Sequence, residues 1–282
     1  MGEARPAADS GEPLMTYSPT ASARWRPVAL LAPHRIALIA IAIALITLAA
    51  VLMRWDWLAD YYTLAIVGLW RTIWILIVTS IFGFVLAVPL GLAQVTGPIW
   101  LSLPAKAFCT VIRGTPLLLQ IWLLYYGLGS LFPQYPWIRE SDLWPLVRQA
   151  WPYAVLALTL SFAGYVGEIM RGALAGVPRG QLEAARAFGM SRWKLFRRIW
   201  LPQAVHKALP TLAGETVGQL KATPLVATIT VIDLYAVALR VRQDTFVIYE
   251  PFLLLALAYM VLTGCLVWFF NSLEARIPVR VG

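Results

Sequence analysis

Four ionisable side chains stand in or beside strongly apolar stretches: Glu168, Glu215, Lys221 and Asp233. A charge at the centre of a bilayer costs roughly 2.5–3.5 kcal/mol on insertion scales, so each needs a partner, a hydrated cavity or a function. Glu168 and Arg171 are three residues apart and can pair on one helix face. Glu168 is otherwise a candidate for a polar path. Glu215 has no oppositely charged residue three or four positions away. A carboxylate in that setting suits a water-filled path that attracts a cationic group, or packing against a partner subunit. Lys221 either anchors its helix or contacts whatever uses that path. Bond-making chemistry has no comparable candidates. The dipeptide Gly-Lys does not occur, which excludes a Walker phosphate loop. Neither His-Glu-x-x-His nor Gly-x-Ser-x-Gly occurs. Two histidines, His34 and His206, do not make a metal site. The chain reads as a non-enzyme that binds no metal or cofactor of its own.

The second concentration of chemistry is the polar stretch 171–207, which carries eight of the 23 Lys and Arg. Residues 181–188 are good helix formers without a breaker. Gly189 fits the left-handed position that stops a helix. Ser191 fits the N-cap of a second short helix reaching Ile199, which Pro202 is expected to end. Ala184, Ala185, Ala187 and Phe188 would then form a small knob that allows close backbone approach. Glu183 would lie in the first turn, where a carboxylate favours the helix dipole. Charge alone equally suits a cationic loop beside anionic lipid.

These residues need a scaffold, and composition says which. Of 282 residues, 60% are apolar and 13% charged, against about 45–50% and about 25% in ordinary globular proteins. The excess is concentrated. Charge-free runs cover 36–53, 114–138, 149–167 and 251–273, and a membrane-crossing helix needs about 20 mostly apolar residues. The expected architecture is an all-α polytopic bundle of six spans near 35–53, 66–93, 108–131, 150–170, 208–236 and 251–271, preceded by a polar tail at 1–34. A soluble enzyme and a disulfide scaffold are excluded, since Cys109 and Cys265 both lie in apolar runs. The fifth span is the weakest, being interrupted by Glu215, Lys221, Pro224 and Asp233. In the second, Gly83, Ala87 and Gly91 offer small-residue packing. Trp55, Trp57, Trp137, Trp144, Trp151 and Trp268 fall near span ends, as an interfacial aromatic belt does. Fifteen of the 23 Lys and Arg fall on the side holding both termini, 94–107 and 171–207, and five on the other. That side is therefore expected to be cytoplasmic. The net charge of +9 reflects topology and implies no nucleic-acid partner.

Within 178–202 the spacing Glu183-Ala184-Ala185, three residues, Gly189, nine residues, Ile199, one residue, Leu201-Pro202 resembles the EAA signature of ABC importer permeases. Arg113-Gly114-Thr115-Pro116-Leu117-Leu118-Leu119-Gln120 resembles a stretch of the polar amino-acid branch of that family. Tyr165 to Gly172 and Val177 to Gln181 resemble its approach to the EAA loop. The similarity spans about 60–275 and leaves the tail and first span outside. Pro224, Ala222 and Gly214 depart from the pattern. The resemblance implies a type I importer permease with a five-span core. It implies a coupling loop for separate ATPase subunits that bind ATP and Mg, a second permease, similar or identical, and an extracytoplasmic substrate-binding protein. It places the chain in a bacterial inner membrane, moving polar, basic or opine-like amino acids. Arg113 to Pro116 are expected to be structural or gating elements. A permease for another small solute, a channel or a sensor is the alternative.

Overall fold

The computed structural model describes residues 51–276 and scattered positions between 37 and 48. The described positions between 37 and 52 are helical; the expected tail at 1–34 and the last six residues lie outside the described residues. The chain divides into two units, Met1–Met53 and Arg54–Gly282, and the second carries the bundle. Among the described residues all regular structure is helical, and both cysteines are free thiols.

Helix α1, Leu58–Thr96, has 39 residues. At 1.5 Å per residue it is about 58 Å long, well beyond a hydrocarbon core of about 30 Å. Its buried stripe is mostly small: Gly68, Thr72, Thr79, Gly83, Ala87 and Gly91, with Ile75 and Leu76. The packing expected of Gly83, Ala87 and Gly91 is present. A Cβ on Gly83 would stand 2.7 Å from Phe162, and one on Gly91 would stand 2.9 Å from the Arg171 nitrogen.

Helix α2, Ile99–Gly114, does not continue as the straight span expected at 108–131. It turns by 106° into Leu117–Gln134, which opens with α3, Leu117–Trp122. Pro116 is the cause. It lacks the N–H that would reach the Ile112 carbonyl. The side chain of Gln120 reaches back to that carbonyl at 2.8 Å, and to the Thr115 hydroxyl at 2.8 Å. A π-helical stretch, Leu123–Leu128, follows.

Helix α4, Trp151–Ala175, is the central element, with two thirds of its apolar stretch buried. Small residues bring neighbours close: Gly164 meets Ile112 of α2, and Gly167 meets Cys109. After the polar loop comes α7, Leu201–Ala222, then a 3-10 segment, Thr223–Ile229, and α8, Leu234–Thr245. The expected fifth span is thus broken, with a 49° bend between Arg192–Ile229 and Leu234–Thr245. Asp233 explains one interruption of its hydropathy. It is fully buried and N-caps α8, accepting from the Ala236 N–H at 2.8 Å. The last helix, α9, is Tyr249–Arg276, and Pro251 is its only buried residue.

A clasp ties the bundle together. The Gln219 amide of α7 donates to the Thr79 hydroxyl of α1 and to the Leu158 carbonyl of α4, each at 3.0 Å. Counting each bent pair once, five segments are long and apolar enough to cross a membrane among the described residues.

Candidate functional site

The loop between α4 and α7 holds two short helices, α5 at Arg179–Ala187 and α6 at Arg192–Leu195. Gly189 sits between them at φ 74°. Its N–H donates to the Arg186 carbonyl at 2.9 Å, and the Met190 N–H donates to that of Ala185 at 3.2 Å. These two bonds form a Schellman stop, which needs a left-handed residue at that position. Ser191 caps α6 as expected, accepting from the Lys194 N–H.

Three expectations for this loop need correction. Helix α5 starts at Arg179, two residues early, because Pro178 serves as its N-cap. Glu183 therefore lies beyond the first turn and loses the proposed dipole contact. Ala185 is 5% exposed and packs toward Leu182, Leu195 and Trp200, so it leaves the knob. Glu183, Ala184, Ala187 and Phe188 stay outward, with Phe188 88% exposed. Pro202 does not end the second helix. It falls in the first turn of α7, where a proline is tolerated. A π-helical stretch, Phe196–Trp200, absorbs the register change, so the chain runs on helically from Arg192 to Ala222.

Ile199 and Leu201 are partly buried against the cluster that holds Trp200, Ala204 and Leu174. Two further residues fix the loop to the bundle. Trp200 donates from its indole to the Leu174 carbonyl at 2.9 Å, and Lys207 donates to the Gly176 carbonyl at 2.6 Å. Both satisfy carbonyls at the end of α4. A cation in reach of a helix C-terminus is the sequence signal that would have found Lys207.

The charged residues of the bundle fall into two groups. Glu168 is bound to Arg171, with Nε–Oε1 at 2.7 Å and Nη2–Oε1 at 2.6 Å. Glu215 is partly buried and lies on α7 about 21 Å from its first residue. Arg113, at the end of α2, is exposed; its guanidinium carbon lies 5.8 Å from the centre of the Tyr165 ring. Gly114, Gly214 and Gly218 have open space where a Cβ would be. Thr115 and Pro116 are exposed at the bend, and Lys221 is exposed at the end of α7. Arg113, Glu168 and Glu215 thus lie on α2, α4 and α7, and α4 packs against both of the others.

The described residues thus form a bundle with five candidate membrane-crossing segments and a paired-helix loop between α4 and α7. Residues 80–279 match the family described as the binding-protein-dependent transport system inner membrane component. The chain belongs to that family. It is 42% identical over 192 residues to the octopine transport system permease protein OccM of Rhizobium radiobacter, covering 68% of this chain and 77% of that one. It is 35% identical over 210 residues to the histidine/lysine/arginine/ornithine transport system permease protein HisM of Salmonella typhimurium, covering 74% and 88%. The crystal structure of an amino acid ABC transporter with histidines superposes with a TM-score of 0.66 at 30% identity, covering 80% of this chain and all of that one. An inward-facing methionine ABC transporter, MetNI, shares the fold with a TM-score of 0.61 at 16% identity. The chain is thus a multi-pass ABC importer permease of the type I fold.

Proposed function

We propose that this permease forms half of the translocation path for basic amino acids or opines. The observation that carries the substrate class is Glu215, a carboxylate held on the open face of α7 with no ion-pair partner among the described residues. The names of the related octopine and histidine/lysine/arginine/ornithine permeases support the same class. A second permease, similar or identical, completes the path. Separate ATPase subunits carry ATP and Mg and dock on Glu183, Ala184 and the turn at Gly189. An extracytoplasmic binding protein delivers the substrate. The loop that takes the ATPases faces the cytoplasm, in keeping with its cations. Glu168, paired as it is, supports the wall of the path, and Lys221 guards its outer end.

The test is reconstitution of this chain with its partner permease, ATPase and binding protein in liposomes. ATP-driven uptake of labelled L-arginine, L-histidine or octopine, but not of a neutral amino acid or a sugar, is the expected result. ATP-driven uptake of only neutral or anionic solutes would overturn the substrate class. Absence of any copurifying ATPase would overturn the coupling role.

A further inference from the structure

The loop 171–207 carries eight cations against one carboxylate, Glu183. Two of the cations are engaged inside the fold: Arg171 holds Glu168, and Lys207 holds the Gly176 carbonyl. The other six, Arg179, Arg186, Arg192, Lys194, Arg197 and Arg198, have no ion pair among the described residues. Two of these six converge. Arg186 of α5 and Arg192 of α6 line a cavity of about 500 Å³ together with Trp193, Phe196 and Trp200. Its far wall is Leu92 and Thr96 at the end of α1, so it opens where the apolar helix meets the polar loop. The aromatic wall is packed: ring centres lie 5.9 Å apart for Trp193 and Phe196, and 6.3 Å apart for Phe196 and Trp200. Trp193 is 67% exposed, the setting of an indole at headgroup depth. A second cavity lies further along α1. It is an apolar groove of about 490 Å³ between α1, α7 and α9, walled by Ile81, Phe84, Leu209, Leu212, Leu266 and Phe270. At 3.6 residues per turn, Ile81, Phe84, Val88 and Leu92 fall within about 80° of one another, so one stripe of α1 joins the two cavities. From Phe84 to Leu92 is about 12 Å along the axis. Half the thickness of a hydrocarbon core is about 15 Å.

We propose that these two cavities hold one anionic phospholipid, with its phosphate at Arg186 and Arg192 and an acyl chain along α1 in the groove. A guanidinium suits the headgroup because its planar fork meets two phosphate oxygens through parallel hydrogen bonds. A free phosphate shares that chemistry, but it has no use for an apolar groove one acyl chain's reach away. A carboxylate of the ATPase is the other anion at hand. It would meet the outward residues Glu183, Ala184 and Phe188, and none of these lines the cavity. The lipid therefore wedges between the loop and α1, behind the surface that takes the ATPases.

The test uses the purified permease–ATPase complex, stripped of lipid in detergent. It reads energy transfer from the tryptophans to phosphatidylglycerol or phosphatidylcholine labelled with pyrene on one acyl chain. The intact complex should bind phosphatidylglycerol more tightly. A cation at an anionic lipid surface is worth about 5-fold, so Arg186→Gln and Arg192→Gln should each weaken phosphatidylglycerol about 5-fold, and the double variant about 30-fold. Phosphatidylcholine should be unaffected. Arg197→Gln removes a cation of the same loop that lines neither cavity, and should leave the ratio of the two lipids unchanged. An equal loss in Arg197→Gln would make the attraction a property of the whole loop, and the site would fall. Inorganic phosphate that competes as well as unlabelled phosphatidylglycerol would mark a free-phosphate site and overturn the lipid. Release of the ATPase from the Arg186 and Arg192 variants, with the lipid ratio intact, would assign both arginines to a protein contact. If those variants do not assemble, the intact complex decides. Its preference should shrink as salt rises from about 0.01 M to about 1 M, over which the screening length falls from about 30 Å to about 3 Å. A preference that ignores salt would overturn the proposal.

Discussion

Valine in place of Gly189 tests the proposed coupling loop separately from the rest of the bundle. The residue sits at φ 74° between α5 and α6, and a Cβ there would meet nothing within 4 Å. The strain is therefore in the backbone alone. A left-handed conformation costs an L-residue with a Cβ about 1–2 kcal/mol, and a β-branched one tolerates it least. That amount shifts the population of the native turn by a factor of about 5–30. Relief requires Gly189 to leave the left-handed region, which breaks the Met190–Ala185 and Gly189–Arg186 bonds and swings α5 against α6. The bundle should survive, because its packing lies elsewhere: Leu174, Trp200, Ala204 and Leu212 stay in place. Expected, then, is normal membrane insertion with ATP hydrolysis that no longer responds to substrate. Asparagine tolerates the left-handed region, so Gly189→Asn should keep most of the coupling. The assay is copurification of the ATPase together with ATP hydrolysed per substrate imported in liposomes. Full docking and unchanged stoichiometry in Gly189→Val would refute the assignment of this turn as the transmission element.

Glu215→Gln should lower uptake of a cationic amino acid while complex yield stays normal; lost assembly with intact transport in the residual complex would instead mark Glu215 as a packing residue. Gln219→Leu removes both clasp bonds and should destabilise the bundle by about 1–3 kcal/mol, since a side-chain hydrogen bond between membrane helices averages about 0.6 and reaches at most about 1.7 kcal/mol. A thermal melt in detergent reads that loss, and an unchanged midpoint would show the clasp to be idle. Cysteine placed at Ser141 should react with an impermeant reagent on intact spheroplasts, whereas cysteine at Ser191 should react only after lysis; the reverse pattern would invert the topology.

Hydropathy located the apolar segments because burial in lipid and burial in protein select the same residue types. It did not locate their breaks. Residues 108–131 are mostly apolar, with Arg113 and Gln120 among them, yet the chain turns by 106° inside them. A window average is blind to a single Pro116, and the amide that makes the turn affordable, Gln120, acts over eight residues. The loop was more legible because its signals are local. Gly189 and Ser191 act on backbone groups within four residues, so sequence spacing and geometry coincide. The inward turn of Ala185 was not legible, since which alanine faces the bundle depends on where α5 begins. Lys207 and Trp200 were missed for a related reason. Their partners lie 31 and 26 residues away, at the end of another helix.

The continuity of the segment from Arg192 to Ala222 bears directly on how the proposed coupling loop would reach Glu215. Had Pro202 ended the second helix, a joint would have separated the loop from Glu215. Instead the helical path is unbroken, with Phe196–Trp200 as its one π-helical stretch. Under the proposed coupling role, a displacement of α5 and α6 would be carried along α7 to the level of Glu215. The same displacement reaches α4 through Trp200 and Lys207, which grip its C-terminal carbonyls. Helix α4 carries Tyr165, and Tyr165 steadies Arg113. Gln219 then ties α7 to α1 and α4 just beyond Glu215, so motion arriving from the loop meets a fixed point there. A rod driven at one end and held near the other pivots, and Glu215 lies between the two. On the proposed reading, Glu215 is mounted on α7, which is continuous with the loop, and α7 is tied to α4 through Trp200 and Lys207, so docking at the loop surface would reach Glu215 without touching it.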